Sequence, residues 1–316
     1  MFDIFQNTTR PKQDLFFKKN DLNDARLGEI VSASAKDYEA SEIVILGCPQ
    51  DEGVARNNGR IGAAFAPDAI RTQFYKLTNS GISAGIFDLG DTIIQKTLEE
   101  THDLQTEIVV QVLRDGKRLI ILGGGNDISY ADGAAMAKVF GNENWQAFNI
   151  DAHFDVRADF PRNSGTPYRQ LLDEQLLKPA NFSEIAFQPQ ANSPIYFDYL
   201  KNSGVTTISL EDIQDSRFKI QDLIIKPLAT FWGFDVDSVR ASDAPGVSAP
   251  SPIGLTAEEF VNLAGIAGSL AETQIVEFTE VNPNFDIDNR TAKLVAIAMH
   301  TFCGNIKEKR LVENFD

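Results

Sequence analysis

The stretch NIDAHFDVR carries Asp151, His153 and Asp155 at every second position, so in an extended chain their side chains point the same way. FDVD repeats the spacing with Asp235 and Asp237. A fold that brings the two stretches together gathers four carboxylates and one imidazole. Such a set is too repulsive at neutral pH to persist unpaired, and divalent cations relieve it. Carboxylate oxygens with a single imidazole suit a hard to borderline octahedral ion such as Mn²⁺, and bridging carboxylates suit two ions roughly 3.5 Å apart. Taken singly, a DxD is often a helix cap and a DAH a satisfied histidine. Their joint placement at successive strand ends favours a metal site.

Those strand ends belong to a regular series. Short apolar runs followed by turn residues recur as EIVILGCPQDEG near 42, AGIFDLGD near 84, RLIILGGGN near 118, QAFNIDAHFD near 146, SEIAFQPQ near 183, GVTTISLED near 204, ATFWGFDVD near 229 and QIVEFTEVNP near 274. The runs are continuous rather than alternating, as in strands buried on both faces of a parallel sheet. Helical segments lie between them: PDAIRTQFYKL with Pro67 as a first-turn residue, LEETHDLQTEIVVQVLRDGK ending at Gly116, and TAEEFVNLAGIAGSLAET opening with Thr256, Glu258 and Glu259 near its cap. The alternation predicts an α/β chain of three layers, αβα, around a mostly parallel sheet of about eight strands. No linker divides the sequence, so residues 1–316 are expected to form one domain, with 1–40 an extension packed on it. The irregular stretches DEGVARNNGRIGAAFAP, VRADFPRNSGTP and SVRASDAPGVSAPSPIG all follow strands. The carboxyl ends of strands are where open α/β sheets bind ligands.

Composition narrows the partners. With 29 Lys and Arg against 45 Asp and Glu, the formal net charge of −16 argues against nucleic acid, whose affinity comes largely from cations meeting phosphate. The first residues, MFDIFQNTTRPKQD, lack an apolar signal core, and no run approaches the ~20 apolar residues of a membrane span. A cytoplasmic protein without membrane or nucleic-acid partners, and assembled as a homo-oligomer, is expected. Cys48 and Cys303 are too few for a disulfide framework or a zinc site and are expected as reduced thiols.

The turn LGGGNDISYADG, from Leu122 to Gly133, fits neither a dinucleotide fingerprint, since Ile128 stands where the third glycine belongs, nor a P-loop, since no GK[ST] follows. Its plainest interpretation is a strand-to-helix connection with glycine at positive φ. Together with DAHFD, FDVDSV followed by PGVSAPSPIGLT, and EVNPNFDID followed by TA, the GGGND segment resembles the ureohydrolase superfamily of arginases and agmatinases in order and spacing along nearly the whole chain. Asp51 to Arg71 and Asn163 to Gln170 look most like formimidoylglutamases; Ser164 stands where arginases and agmatinases typically place a histidine.

The resemblance implies an arginase-like fold and two Mn²⁺ ions. In that scheme Asp151 and Asp235 bridge the ions, His153 and Asp237 complete one site, and Asp155 with Asn126 complete the other. A water bridging both ions would attack the amidine carbon, Asp155 would carry its proton to the departing amine, and Glu280 would hold the cationic amidinium or guanidinium. The partner is a small amidino or guanidino acid. Two carboxylates on a formimidoylglutamate call for arginines, and Arg56, Arg60, Arg157 and Arg162 lie in the expected mouth, with Arg157 the first choice and Asn57, Asn163 and Ser164 as polar support.

The family's usual GGGH is here GGGN, with Asn126 in place of the histidine and Asp127 beside it to compete or assist. An amide oxygen can bind Mn²⁺ but is a poorer donor than imidazole. Three outcomes follow, in descending order: a two-ion site with one ion weakened, a one-ion enzyme built on His153, or a metal-poor relative kept for binding. The leading expectation is hydrolysis of N-formimidoyl-L-glutamate to L-glutamate and formamide. The alternatives are a guanidino hydrolase releasing urea and a noncatalytic binding protein of the same fold.

Overall fold

The computed structural model describes residues 2–215, 219–224 and 227–306. Its strands are β1 (Thr8–Thr9), β2 (Ile43–Gly47), β3 (Ile86–Thr92), β4 (Arg118–Leu122), β5 (Trp145–Ile150), β6 (Phe182–Phe187), β7 (Thr206–Ser209), β8 (Ala229–Asp235) and β9 (Thr273–Thr279). They form one sheet in the order β1-β3-β2-β4-β9-β8-β5-β6-β7. Every pairing is parallel except that of β1 with β3. The eight apolar runs all become strands, and β1 raises the total to nine. That strand is two threonines from the amino-terminal extension, paired through backbone with Asp91 and Thr92, so no apolar run announced it.

Helices alternate with the strands: α1 (Leu27–Ile30), α2 (Glu52–Arg56), α3 (Ala66–Phe74), α4 (Leu98–Arg114), α5 (Ser129–Phe140), α6 (Pro167–Asp173), α7 (Pro194–Ser203), α8 (Leu210–Gln214), α9 (Ala257–Ser269) and α10 (Arg290–Gly304). Their ends follow the sequence signals. Thr97 with Glu100 and Thr256 with Glu259 form capping boxes on α4 and α9. Pro67 lies in the first turn of α3, and Gly116, at φ 75°, follows the cap of α4.

The continuous apolar runs reflect two cores, one on each face of the sheet. On β2, Ile43 and Ile45 face one core while Val44 and Leu46 face the other. The first core receives Ile70 and Phe74 of α3, Phe260 and Leu263 of α9, and Val295, Met299 and Phe302 of α10. The second receives Ile108 and Val112 of α4, Met136 of α5, Leu171 of α6 and Leu200 of α7. Helices therefore cover both faces, giving the three αβα layers. Each large apolar side chain so buried contributes about 1.5–3 kcal/mol, which lets the sheet carry a costly acidic cluster at the carboxyl ends of its central strands. Leu27, Val31, Ile4 and Tyr38 join these cores. Among the described residues, no helix is long and apolar enough to cross a membrane.

Candidate metal centre

The four central strands β4, β9, β8 and β5 are neighbours and parallel, so their carboxyl ends open side by side. β5 leads into Asp151, β8 ends at Asp235, β9 leads into Glu280, and the glycine turn after β4 delivers Asn126. Asp235 lies opposite Thr279 in the β8–β9 ladder. Local bonds fix the acids: Asp151 Oδ1 accepts the His153 N–H at 2.7 Å, and Asp235 Oδ1 accepts the Asp237 N–H at 2.9 Å. Asp155 and Glu280 sit at φ 47° and 64°, conformations that side chains other than glycine seldom adopt and that cluster at functional sites.

The glycine turn works differently from the sequence-based expectation. None of Gly123, Gly124 and Gly125 has positive φ. They are small because backbones meet there: a Cβ on Gly124 would collide with the carbonyl of Gln50, and one on Gly123 would meet Thr279 and Ile128. Gly125 N–H donates to Gln50 O at 3.1 Å and Glu280 N–H to Gly124 O at 2.9 Å, which ties Asn126 to the end of β9. Asp127 neither competes for the cluster nor adds to it. It turns away to accept from Gln50 Nε2 at 2.7 Å and to meet His102 Nε2 at 2.7 Å, all three side chains being buried.

Two potential ligand groups result, Asp151–His153–Asp237 and Asp151–Asp155–Asp235, each with ligand atoms within 4.8 Å of one another and with Asp151 in both. His153 Nδ1 lies 3.3 Å from Asp237 Oδ2 and 3.5 Å from Asp151 Oδ1. Burial, reinforced by neighbouring acids, pushes the proton affinities of Asp155 and Asp235 far above the carboxylate range and also raises that of Asp151. The charge of Asp237 leads in raising His153 to about 12, and burial lifts Glu280 to about 8. The cluster thus holds protons that a divalent cation would displace. Asp237 Oδ1 is buried with no hydrogen-bond partner among the described residues. Oxygen donors with one imidazole and no thiolate fit Mn²⁺. The two thiols, Cys48 and Cys303, are free, buried and outside both groups.

A pocket of about 320 Å³ opens above the cluster, lined by His153, Asp155, Asp235, Asp237 and Glu280 at its floor. Of the residues expected at the mouth, Asn57, Arg60, Arg157 and Ser164 line it. Arg157 has no side-chain hydrogen bond or ion pair among the described residues and is exposed. Arg60 is partly engaged, donating to the carbonyls of Val247 and Ser248 and stacking 4.2 Å above the Phe285 ring. Asn57 Nδ2 donates to Ser164 Oγ at 3.0 Å. Arg56 is not brought into the pocket, because Glu99 holds its guanidinium at 2.6 Å and Glu52 at 3.1 Å. Arg162 is likewise occupied, 4.0 Å above the Tyr130 ring. Asn163 lies behind the wall, its Oδ1 accepting from Gly165 N at 2.9 Å. Sequence reasoning missed Asn192 and Tyr196, which line the pocket from the segment opening α7, and Ser248, which lies within an irregular stretch already marked as ligand-bearing.

Residues 41–304 match the sequence model of the arginase family. A Staphylococcus aureus formimidoylglutamase is 33% identical over 282 residues, 87% of this chain and 89% of that protein. The formimidoylglutamase of Staphylococcus carnosus is 33% identical over 264 residues, 82% and 84% of the two chains. Among solved structures, Trypanosoma cruzi formiminoglutamase with two Mn²⁺ superposes with a TM-score of 0.82 at 32% identity, covering 89% of this chain and 98% of that one.

Proposed function

The chain belongs to the arginase family, and from that premise we propose that it hydrolyses the amidine C–N bond of N-formimidoyl-L-glutamate, releasing L-glutamate and formamide. The observation that carries this reading is the pair of ligand groups sharing Asp151 beneath a pocket whose mouth offers the unengaged guanidinium of Arg157. Asp151, His153, Asp155, Asp235 and Asp237 would hold two Mn²⁺ ions, with Asn126 beside the Asp155 group. Bound there, the ions supply Lewis-acid activation of a water nucleophile at neutral pH.

The protein's own groups do the rest. The carboxylate of Glu280 receives the cationic formimidoyl group and orients its carbon toward the cluster. It can do so while held in place by the Asn126 N–H, which donates to Oε1 at 2.7 Å. Arg157 takes a carboxylate of the glutamyl end bidentately, and Arg60, Asn57 and Ser164 supply further donors on the same wall. Asp155 accepts the proton of the attacking water at a carboxylate oxygen and passes it to the departing glutamate nitrogen.

The test is a pair of product assays on Mn²⁺-loaded protein whose metal content is measured on the same sample. Formamide from formimidoylglutamate without urea from arginine or agmatine is expected. Urea release as the faster reaction would replace this reading with a guanidino hydrolase. Two bound ions with no turnover of any amidine would leave a binding protein.

A further inference from the structure

The parallel ladder of β5 and β6 runs as far as Ile150 opposite Ile185. Two more backbone bonds extend it, Asp151 N–H to Ile185 O at 2.9 Å and Gln188 N–H to Ala152 O at 3.0 Å. There the β6 chain departs, with Ala186 at φ 73° and a 3-10 turn over Pro189–Ala191. His153 therefore follows a strand whose neighbour on that side has left the sheet, yet it supplies the one imidazole of the two ligand groups.

The side chain of Asn192, the residue that closes that turn, takes the neighbour's place. Its Oδ1 accepts from the Phe154 N–H at 2.9 Å, and its Nδ2 donates to Ala152 O at 2.8 Å and to Gln188 O at 2.9 Å. All three partners are backbone groups. The N–H can only donate and the carbonyls can only accept, so one orientation of the amide is open. A residue in a parallel strand bonds the same two groups of its neighbour, the C=O before the facing residue and the N–H after it. Here the facing residue is His153. One amide thus holds both peptide planes that flank His153, and those planes set its φ and ψ and so the direction in which its side chain leaves the backbone.

We propose that Asn192 is a positioning residue that stands in for a strand opposite His153 and aims its imidazole between Asp151 and Asp237. This rests on the reading that the Asp151–His153–Asp237 group holds an ion. Asn192 touches backbone and none of the acids, so its effect falls on the geometry of His153. The other group depends on it less. Asp155 lies outside the two clamped planes, and its carboxylate is held from the β4 turn by the Asn126 amide at 2.6 Å. Asn192 also lines the pocket, but contact with a substrate would alter KM and leave metal uptake as it was.

The experiment makes two measurements on full-length, metal-stripped protein. Hydrogen exchange of the Phe154 amide should be slow in the wild type and about tenfold faster in Asn192→Ala, which removes its acceptor. Titration with Mn²⁺ alone, following the free ion by electron paramagnetic resonance, gives the binding steps, and the step lost in His153→Ala identifies the ion of interest. Asn192→Ala should weaken that step about 10–100-fold, as loss of a group that orients a ligand does, and leave the other within about threefold. Asn192→Leu fills the same space without the bonds and should behave like Asn192→Ala. Gln190→Ala, an exposed change in the same turn, should leave both measurements at wild-type values. An unprotected Phe154 amide in the wild type, Mn²⁺ binding unchanged in Asn192→Ala or restored in Asn192→Leu, equal weakening of both steps, or an equal effect of Gln190→Ala would overturn the proposal. Wild-type protein that takes up no Mn²⁺ would overturn the metal reading instead, and exchange at Phe154 would then decide the clamp by itself.

Discussion

On the proposed function Arg157 and Glu280 serve opposite ends of one substrate, and their variants should fail differently. Arg157→Ala removes a charge-assisted donor pair remote from the reacting carbon. It should raise KM for formimidoylglutamate about 10–100-fold while kcat changes little, as steady-state kinetics will show. Glu280→Gln keeps the shape but not the charge that receives the amidinium, so kcat/KM should fall about a hundredfold with Mn²⁺ stoichiometry unchanged. Asn126→His puts an imidazole where the amide Nδ2 now meets Asp155. Its Mn²⁺ affinity at that group should rise in a binding titration, and an unaltered affinity would contradict the placement of Asn126 against the cluster.

At the scale of elements, the site depends on the turn between β4 and α5 lying flat against the segment that follows β2. Gly124→Ala drives a Cβ into the Gln50 carbonyl, backbone against backbone, and should cost about 3 kcal/mol in thermal or urea unfolding. Mn²⁺ binding at the Asp155 group should weaken with it, since Asn126 moves with the turn. Why the sequence disclosed some of this and not the rest follows from what each feature depends on. The strands β2 to β9, except the partly exposed β7, were legible because burial on both faces favours apolar runs, and the acids were legible because period-two spacing at strand ends is a local property. β1 was not, because Thr8 and Thr9 pair through backbone alone. Arg56 was misplaced because what removes it from the mouth is Glu99, 43 residues away on α4. Tyr196 was invisible because its helix reaches the pocket only through the packing of α7 on the sheet.

For the molecule as a whole, the buried acids make stability depend on pH and on metal together. Burial lifts Glu280 from its ordinary 4.5 to about 8 and Asp132 from 3.8 to about 6. The unfolded chain sheds these protons near pH 4 while the folded chain keeps them, so the native state binds more protons and stability falls as pH rises through each interval. The contribution is intact below the lower values and is progressively lost toward pH 8. Metal-free protein should therefore melt at a lower temperature at pH 8 than at pH 5.5 by scanning calorimetry. Mn²⁺ at a hundred times its dissociation constant should return about 2.7 kcal/mol at the higher pH. The strand order has a further consequence, for the time course of synthesis. β9, the last strand in the chain, inserts between β4 and β8 at the middle of the sheet. Until Thr273–Thr279 has been made, β4 and β8 have no common neighbour, so Asn126 behind β4 is parted from the acids that the paired strands β5 and β8 hold side by side. Slow, long-range closure of this kind exposes apolar strand edges on the nascent chain. The floor of the pocket, with Asn126 and Glu280 tied together beside the acids, is therefore completed only when β9 is in place.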